Sequence, residues 1–140
     1  MKKLIFILLL LPFAVFAQPP EWVGGPLKNT KAMMGLIEQR LSVKFTDSSI
    51  SPNRERMIFN DSSGRFVVSV KLAKDVVQTV NIEAPTYQIN EFVLWFEKEF
   101  LEYAISKNEK GIVFPESVVV VRPLNSQKSY FYISTQKKLK

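Results

Sequence analysis

The sequence contains neither cysteine nor histidine, and each absence excludes a class of chemistry. Without cysteine there is no disulfide framework, no thiol nucleophile and no lipid-modified cysteine, so the fold must be stabilised by its hydrophobic core. Without histidine there can be no Ser-His-Asp triad, no Cys-His pair and no histidine-based zinc site. The enzymatic chemistry that remains uses carboxylates, lysine or tyrosine, or a metal held by oxygen ligands alone.

Strong charge of one sign is also missing. The formal net charge is +6, from 19 basic and 13 acidic residues. No predicted face carries a stripe of lysine and arginine, and the only dense basic cluster is KKLK at residues 137–140. This cluster predicts a solvated tail that could contact anionic lipid or a sugar acid. We therefore expect no nucleic acid partner.

The first 17 residues have the pattern of a secretory signal peptide. Lys2 and Lys3 precede the apolar run at residues 4–16, and Ala17 offers a small residue at the cleavage point. A membrane-spanning helix needs about 20 apolar residues, and this run is shorter and contains Pro12. We expect export to the periplasm or the medium after cleavage following Ala17, with only transient membrane contact. The alternative is an uncleaved membrane anchor.

The rest of the chain is long enough for one hydrophobic core. Residues 18–28 hold three prolines and two glycines without a periodic apolar pattern, which predicts an extended N-terminal arm. Residues 29–136 are predicted to form a single α+β domain, followed by the basic tail at residues 137–140. Within residues 60–64, NDSSG lacks the spacing of a calcium loop and is typical of a hairpin turn. We expect no metal and no cofactor.

Two stretches have helical periodicity, residues 30–44 and residues 87–107. The serine- and aspartate-rich segment at residues 46–55 predicts a loop, and Asn108-Glu-Lys-Gly111 predicts the end of the second helix. Strands are predicted near Met57, at residues 66–72 and 76–84 with a tight turn at Lys74-Asp75, and at residues 117–121 and 129–134. The order α-β-β-β-α-β-β indicates an antiparallel sheet of four to five strands with two helices on one face.

The long second helix is predicted to bury one side on the sheet. At about 100° per residue, one arc collects most of its large side chains. The members of this arc are Ile89, Phe92, Val93, Phe96, Phe100, Tyr103 and Ala104. A narrower stripe of Leu94, Leu101 and Ile105 is expected to pack on the first helix or on the arm.

The opposite side of this helix carries charge. Glu91, Glu99 and Glu102 lie there, and Lys98 forms an i,i+4 pair with Glu102. Glycoside hydrolysis needs two carboxylates across a cleft, with one pKa raised by burial, and an exposed helix side has no cleft. A solvated surface is the simpler interpretation.

Trp95 breaks the pattern, because it projects into this polar sector. Either the arm covers it, with Trp22 and Val23, or it anchors a partner whose basic groups face the surrounding carboxylates. In the second case we expect Trp95→Ala to cost the fold about 1 kcal/mol or less, whereas a loss of about 3 to 5 kcal/mol would indicate core.

The arm resembles one known family. Val23-Gly-Gly-Pro-Leu27 followed by a helix is similar to the start of secreted cystatins, which inhibit papain-like proteases, and Pro123-Leu124 stands where cystatins carry Pro-Trp in a second hairpin. The resemblance implies that the glycines and the hairpin enter a protease cleft together. The cystatin motif Gln-x-Val-x-Gly is incomplete here, because Asn81-Ile82 follows Gln78-Thr-Val80. The match covers about ten residues, and membership is not assigned.

These observations favour an exported, non-enzymatic binding protein that acts by surface complementarity on a protein partner. Its sharpest form is an inhibitor or immunity-type protein of a secreted or envelope enzyme. The alternatives are an envelope assembly or structural factor and a small carboxylate-dependent hydrolase. The expected partner-binding residues are Trp95, Glu91, Glu99, Glu102, Gly24, Gly25, Pro123 and Leu124. No catalytic residue is expected.

Overall fold

The computed structural model describes residues 22–136. Its helices are α1 (Thr30–Leu41) and α2 (Thr86–Phe100), each with a single 3-10 turn at one end. Its strands are β1 (Phe45–Ile50), β2 (Arg56–Asp61), β3 (Val67–Ala73), β4 (Val76–Pro85), β5 (Ser106–Asn108), β6 (Gly111–Val113), β7 (Ser117–Pro123) and β8 (Lys128–Thr135). The predicted signal peptide and basic tail lie outside the described residues.

All eight strands form one antiparallel sheet in the order β1-β2-β3-β4-β8-β7-β6-β5. Each helix is followed by four consecutive strands that pair in order, and the last strands of the two units, β4 and β8, join at the centre of the sheet. The α+β class and the antiparallel sheet with helices are as predicted. The predicted strand number of four to five is wrong, and the element order is α-β-β-β-β-α-β-β-β-β.

The missed strands lie at the edges of the sheet. β1 lies where the serine- and aspartate-rich segment predicted a loop, and all but its first residue are exposed. β5 and β6 have three residues each, and β5 is fully exposed. β1 and β5 are held by backbone hydrogen bonds to one neighbour and bury little, so their side chains carry no period, whereas β6 pairs on both sides and buries Ile112 but is too short to show one. Short, polar edge strands also limit pairing with other chains.

The second helix ends earlier than predicted, at Phe100 instead of Lys107. A 3-10 turn at Leu101–Tyr103 redirects the chain into β5, and Asn108 pairs with Gly111 across a hairpin turn in place of the predicted helix stop. Tyr103 was expected in the buried arc, but it is exposed because the helical period stops before it.

The core lies between the helices and one face of the sheet. The inward side of α2 supplies Phe92, Phe96 and Phe100, α1 supplies Ile37 and Leu41, and all belong to one buried cluster with the inward residues of the central strands. The Phe96 ring centroid lies 5.0 Å from that of Phe131 on β8, in an edge-to-face arrangement that adds to the burial energy. The predicted inward periodicity of α2 is therefore confirmed as far as Phe100.

Candidate binding surfaces

The outward side of α2 carries a line of exposed apolar side chains. Tyr87, Leu94 and Leu101 are spaced by seven residues, or about two helical turns, so they lie along one side of the helix. Their exposed fractions are 62%, 67% and 37%, and we call this set the α2 ridge. Tyr103 and Ile105, which follow it, are 45% and 66% exposed. Leu94, Leu101 and Ile105 were predicted to be packed by α1 or the arm, and that prediction is wrong.

Carboxylates border the α2 ridge. Glu91, Glu99 and Glu102 are all exposed, together with one lysine, Lys98. The neighbouring Glu97 forms an ion pair of 2.7 Å with Lys107 on β5. The exposed polar side of α2 therefore carries a local excess of negative charge on a chain that is basic as a whole.

Trp95 is half-buried and belongs to an internal aromatic cluster. Its ring centroid lies 5.3 Å from that of Phe92 and 5.7 Å from that of Phe100. The guanidinium of Arg40, from α1, lies over the ring at 4.7 Å. The Trp95 Nε1 is buried and has no hydrogen-bond partner among the described residues. The side chain that covers this tryptophan therefore comes from α1, in place of the arm considered from the sequence.

The arm and the β7–β8 hairpin occupy opposite ends of β4. The Gly24 N–H donates to the Val77 carbonyl at 2.7 Å, and the Gly25 carbonyl accepts from the Val77 N–H at 3.0 Å, near the start of β4. Pro123 and Leu124 are exposed in the β7–β8 hairpin, which lies beside the Pro85 end of β4. Eight residues of strand separate these sites by about 26 Å. The two segments are therefore not brought together as the cystatin resemblance implies.

The sheet face opposite the helices holds a groove of about 690 Å³, which we call the sheet groove. Its side chains form successive cross-strand rows. Arg56, Lys71 and Thr79 make the first row. Ser69, Asn81 and Tyr132 make the second, and Glu83 and Tyr130 the third. Leu124, predicted as a binding residue, lines the last part.

The sheet groove has a basic end and a mixed end. Arg56 and Lys71 are direct neighbours on adjacent strands, and neither has a carboxylate within ion-pair distance among residues 22–136. At the other end the Asn81 amide donates to a Glu83 carboxylate oxygen at 3.4 Å. The sequence pattern did not predict this site. The site is formed by the outward-facing polar residues that alternate with buried ones in β3, β4 and β8. Such alternation predicts a solvated face, but it does not show which polar residues are neighbours.

Comparison with protein-family models, with curated proteins and with solved structures gave no match. In the part of the chain that the structure describes, no three or more acidic side chains gather in a way that could hold a metal ion. Within the same residues, neither helix combines the length and the apolar character that a membrane span requires.

Proposed function

We propose that this chain is an exported, non-enzymatic binding protein that docks a protein partner on the α2 ridge. The observation that carries this proposal is the exposure of Tyr87, Leu94 and Leu101 in one line on a helix whose other side is fully buried. Three large apolar side chains aligned on one side of the helix, with polar residues between and around them, offer anchors for a partner surface.

The charges around the α2 ridge define the partner's chemistry. Glu91, Glu99 and Glu102 outnumber Lys98 on this side, so a partner with basic groups around an apolar centre is complementary. Tyr87 is of the residue class enriched at binding hot spots, because its large ring loses little conformational entropy on binding. The most specific form of this proposal is an inhibitor or immunity-type protein. It would cover a surface with a basic rim on a secreted or envelope enzyme.

Two other functions remain as alternatives. An envelope assembly factor would use the same ridge for a structural partner. A carboxylate hydrolase would need two acids across a cleft, about 5 to 10 Å apart, and among the described residues Glu83 is the single carboxylate that lines the sheet groove. This count supports a binding function over hydrolysis.

Affinity capture from the native envelope or medium tests the α2 ridge directly. The mature chain is compared with Leu94→Ser and with Ile50→Ser, a matched loss of an exposed aliphatic side chain on β1, away from α2. Both substitutions should change the free energy of unfolding by about 0.5 kcal/mol or less, because both side chains are exposed.

We expect Leu94→Ser to weaken capture of a defined protein at least about tenfold, which corresponds to about 1.4 kcal/mol, while Ile50→Ser retains it. Replacing Glu91, Glu99 and Glu102 with glutamine should weaken binding at low salt and reduce its dependence on ionic strength. Equal capture by the Leu94 variant and the parent chain would refute docking on the ridge. Turnover of a glycan without any captured protein would favour the hydrolase.

A further inference from the structure

We propose that the sheet groove is a second binding site, which takes a short oligosaccharide bearing a carboxylate at the Arg56–Lys71 end. The sheet groove lies on the face opposite the helices, so this site is independent of the α2 ridge. Its volume of about 690 Å³ falls within the usual range of about 300 to 1,000 Å³ for small-ligand sites.

The basic end is complementary to an anion, although Glu55 lies beside Arg56 and Lys71 in the adjoining groove. Like charges placed directly opposite each other on neighbouring strands repel and destabilise the sheet, and Arg56 and Lys71 occupy such positions. Neither is neutralised by a carboxylate of the described residues. A ligand carboxylate between them would remove the repulsion and could accept two parallel hydrogen bonds from the guanidinium.

The rest of the sheet groove suits rings that carry hydroxyl groups. Ser69, Thr79 and Asn81 offer side-chain hydroxyl and amide groups, and Glu83 adds an acceptor for hydroxyl donors. Tyr130 and Tyr132 are two residues apart on β8 and therefore share this face, where they supply aromatic rings with polar hydroxyl groups. The distance from the first row to the third, four residues of strand, is about 13 Å, which is room for a short oligomer and not for a single small ion.

Other anionic polymers fit less well. Single-stranded nucleic acid needs positive charge along its whole backbone, whereas the two cations that line this groove, Arg56 and Lys71, lie at one end and Glu83 lies at the other. Extended peptides bind mainly through their backbone at a free sheet edge, and a sheet face offers only side chains. An oligosaccharide with a carboxylate at one end is complementary to the whole sheet groove. Its carboxylate faces Arg56 and Lys71, and its hydroxyl groups face Glu83.

The test uses calorimetric titration of the mature protein with aldotriouronic acid, a trisaccharide with a single terminal uronic acid, and with its methyl ester, which keeps the rings and removes the charge. The same titrations are made with Arg56→Gln, Lys71→Gln, Tyr132→Ala and, as a control away from the groove, Lys44→Gln. Hexathymidylate and tetra-aspartate serve as alternative ligands. Thermal unfolding of each variant verifies that it is folded.

We expect aldotriouronic acid to bind at least about tenfold more tightly than its ester, and Arg56→Gln, Lys71→Gln and Tyr132→Ala each to weaken binding at least about fivefold. Lys44→Gln and the ridge variant Leu94→Ser should bind the saccharide as the parent does, so failure of the ridge proposal would not affect this result. The proposal is overturned by equal affinity for acid and ester, by no effect of the groove substitutions, by no saccharide binding at millimolar concentration, or by tighter binding of either alternative ligand.

Discussion

Replacing Trp95 with alanine separates a structural role for this side chain from a role as a free anchor. Three aromatic rings contact or approach the indole, with centroid distances of 5.3 Å to Phe92, 5.7 Å to Phe100 and 6.5 Å to Phe96. Arg40 lies over the ring. The aromatic contacts lie within α2 and the Arg40 contact joins α1 to α2, so truncation at Trp95 should loosen both.

The size of the effect follows from these contacts. A fully buried tryptophan costs about 3 to 5 kcal/mol when truncated to alanine, and Trp95 is only half-buried. Aromatic pairs add about 0.5 to 1.5 kcal/mol each beyond area burial, and the cation–π contact adds about 0.5 to 1 kcal/mol at an exposed site. We expect Trp95→Ala to lower the free energy of unfolding by about 2 to 4 kcal/mol.

Trp95→Phe is the matched control. It keeps an aromatic ring beside Phe92 and removes the buried Nε1 donor that has no partner among the described residues. It should therefore cost about 1 kcal/mol or less, since an unpaired buried donor carries its own penalty. Urea unfolding followed by circular dichroism at 25 °C measures both values. A loss of about 1 kcal/mol or less for Trp95→Ala would refute the structural role and restore the free anchor.

Two further predictions concern turns. Gly111→Ala should lower the free energy of unfolding by about 3 kcal/mol and Gly64→Ala by about 1 kcal/mol. Both glycines have positive φ, but only at position 111 would an added Cβ overlap a backbone atom, the Val119 carbonyl oxygen. Equal losses in urea unfolding would contradict this. Burial raises the pKa of Asp61, but hydrogen bonds from the Ser63 hydroxyl and from backbone N–H groups outweigh burial and lower it below 3.8. The carboxylate therefore stabilises the fold above about pH 4, and this contribution is lost as the pH falls through the lowered pKa. Melting temperatures of Asp61→Asn and the parent should converge below about pH 4, and parallel curves would be inconsistent with this.

The two proposed sites lie on opposite sides of the sheet. The α2 ridge belongs to a helix that packs on one face, and the sheet groove is formed by the other. A ligand in the groove therefore leaves the ridge accessible. Binding measurements on the two surfaces are expected to be additive, because no described side chain belongs to both sites.

Periodicity alone determined the elements that bury a face. α2 was predicted to Lys107 and is correct as far as Phe100, and β3 and β4 were predicted within a few residues, because burial of one side forces a repeat of 3.6 or 2 in the sequence. β7 was predicted from its continuous β-branched run SVVVV and not from a period. The Lys74-Asp75 turn was predicted for a similar local reason, and both residues adopt positive φ, 52° and 61°, as a two-residue hairpin turn requires.

The tertiary structure alone decided what depends on neighbours distant in sequence. Backbone pairing creates β1 and β5 without burying their side chains, so no pattern marks them. Leu94 is exposed because no element within residues 22–136 covers that side of α2, and the residues of α2 cannot specify what packs against them. The sheet groove exists because strand register places Lys71, Thr79 and Tyr132 near one another, whereas a sequence records only which residues alternate.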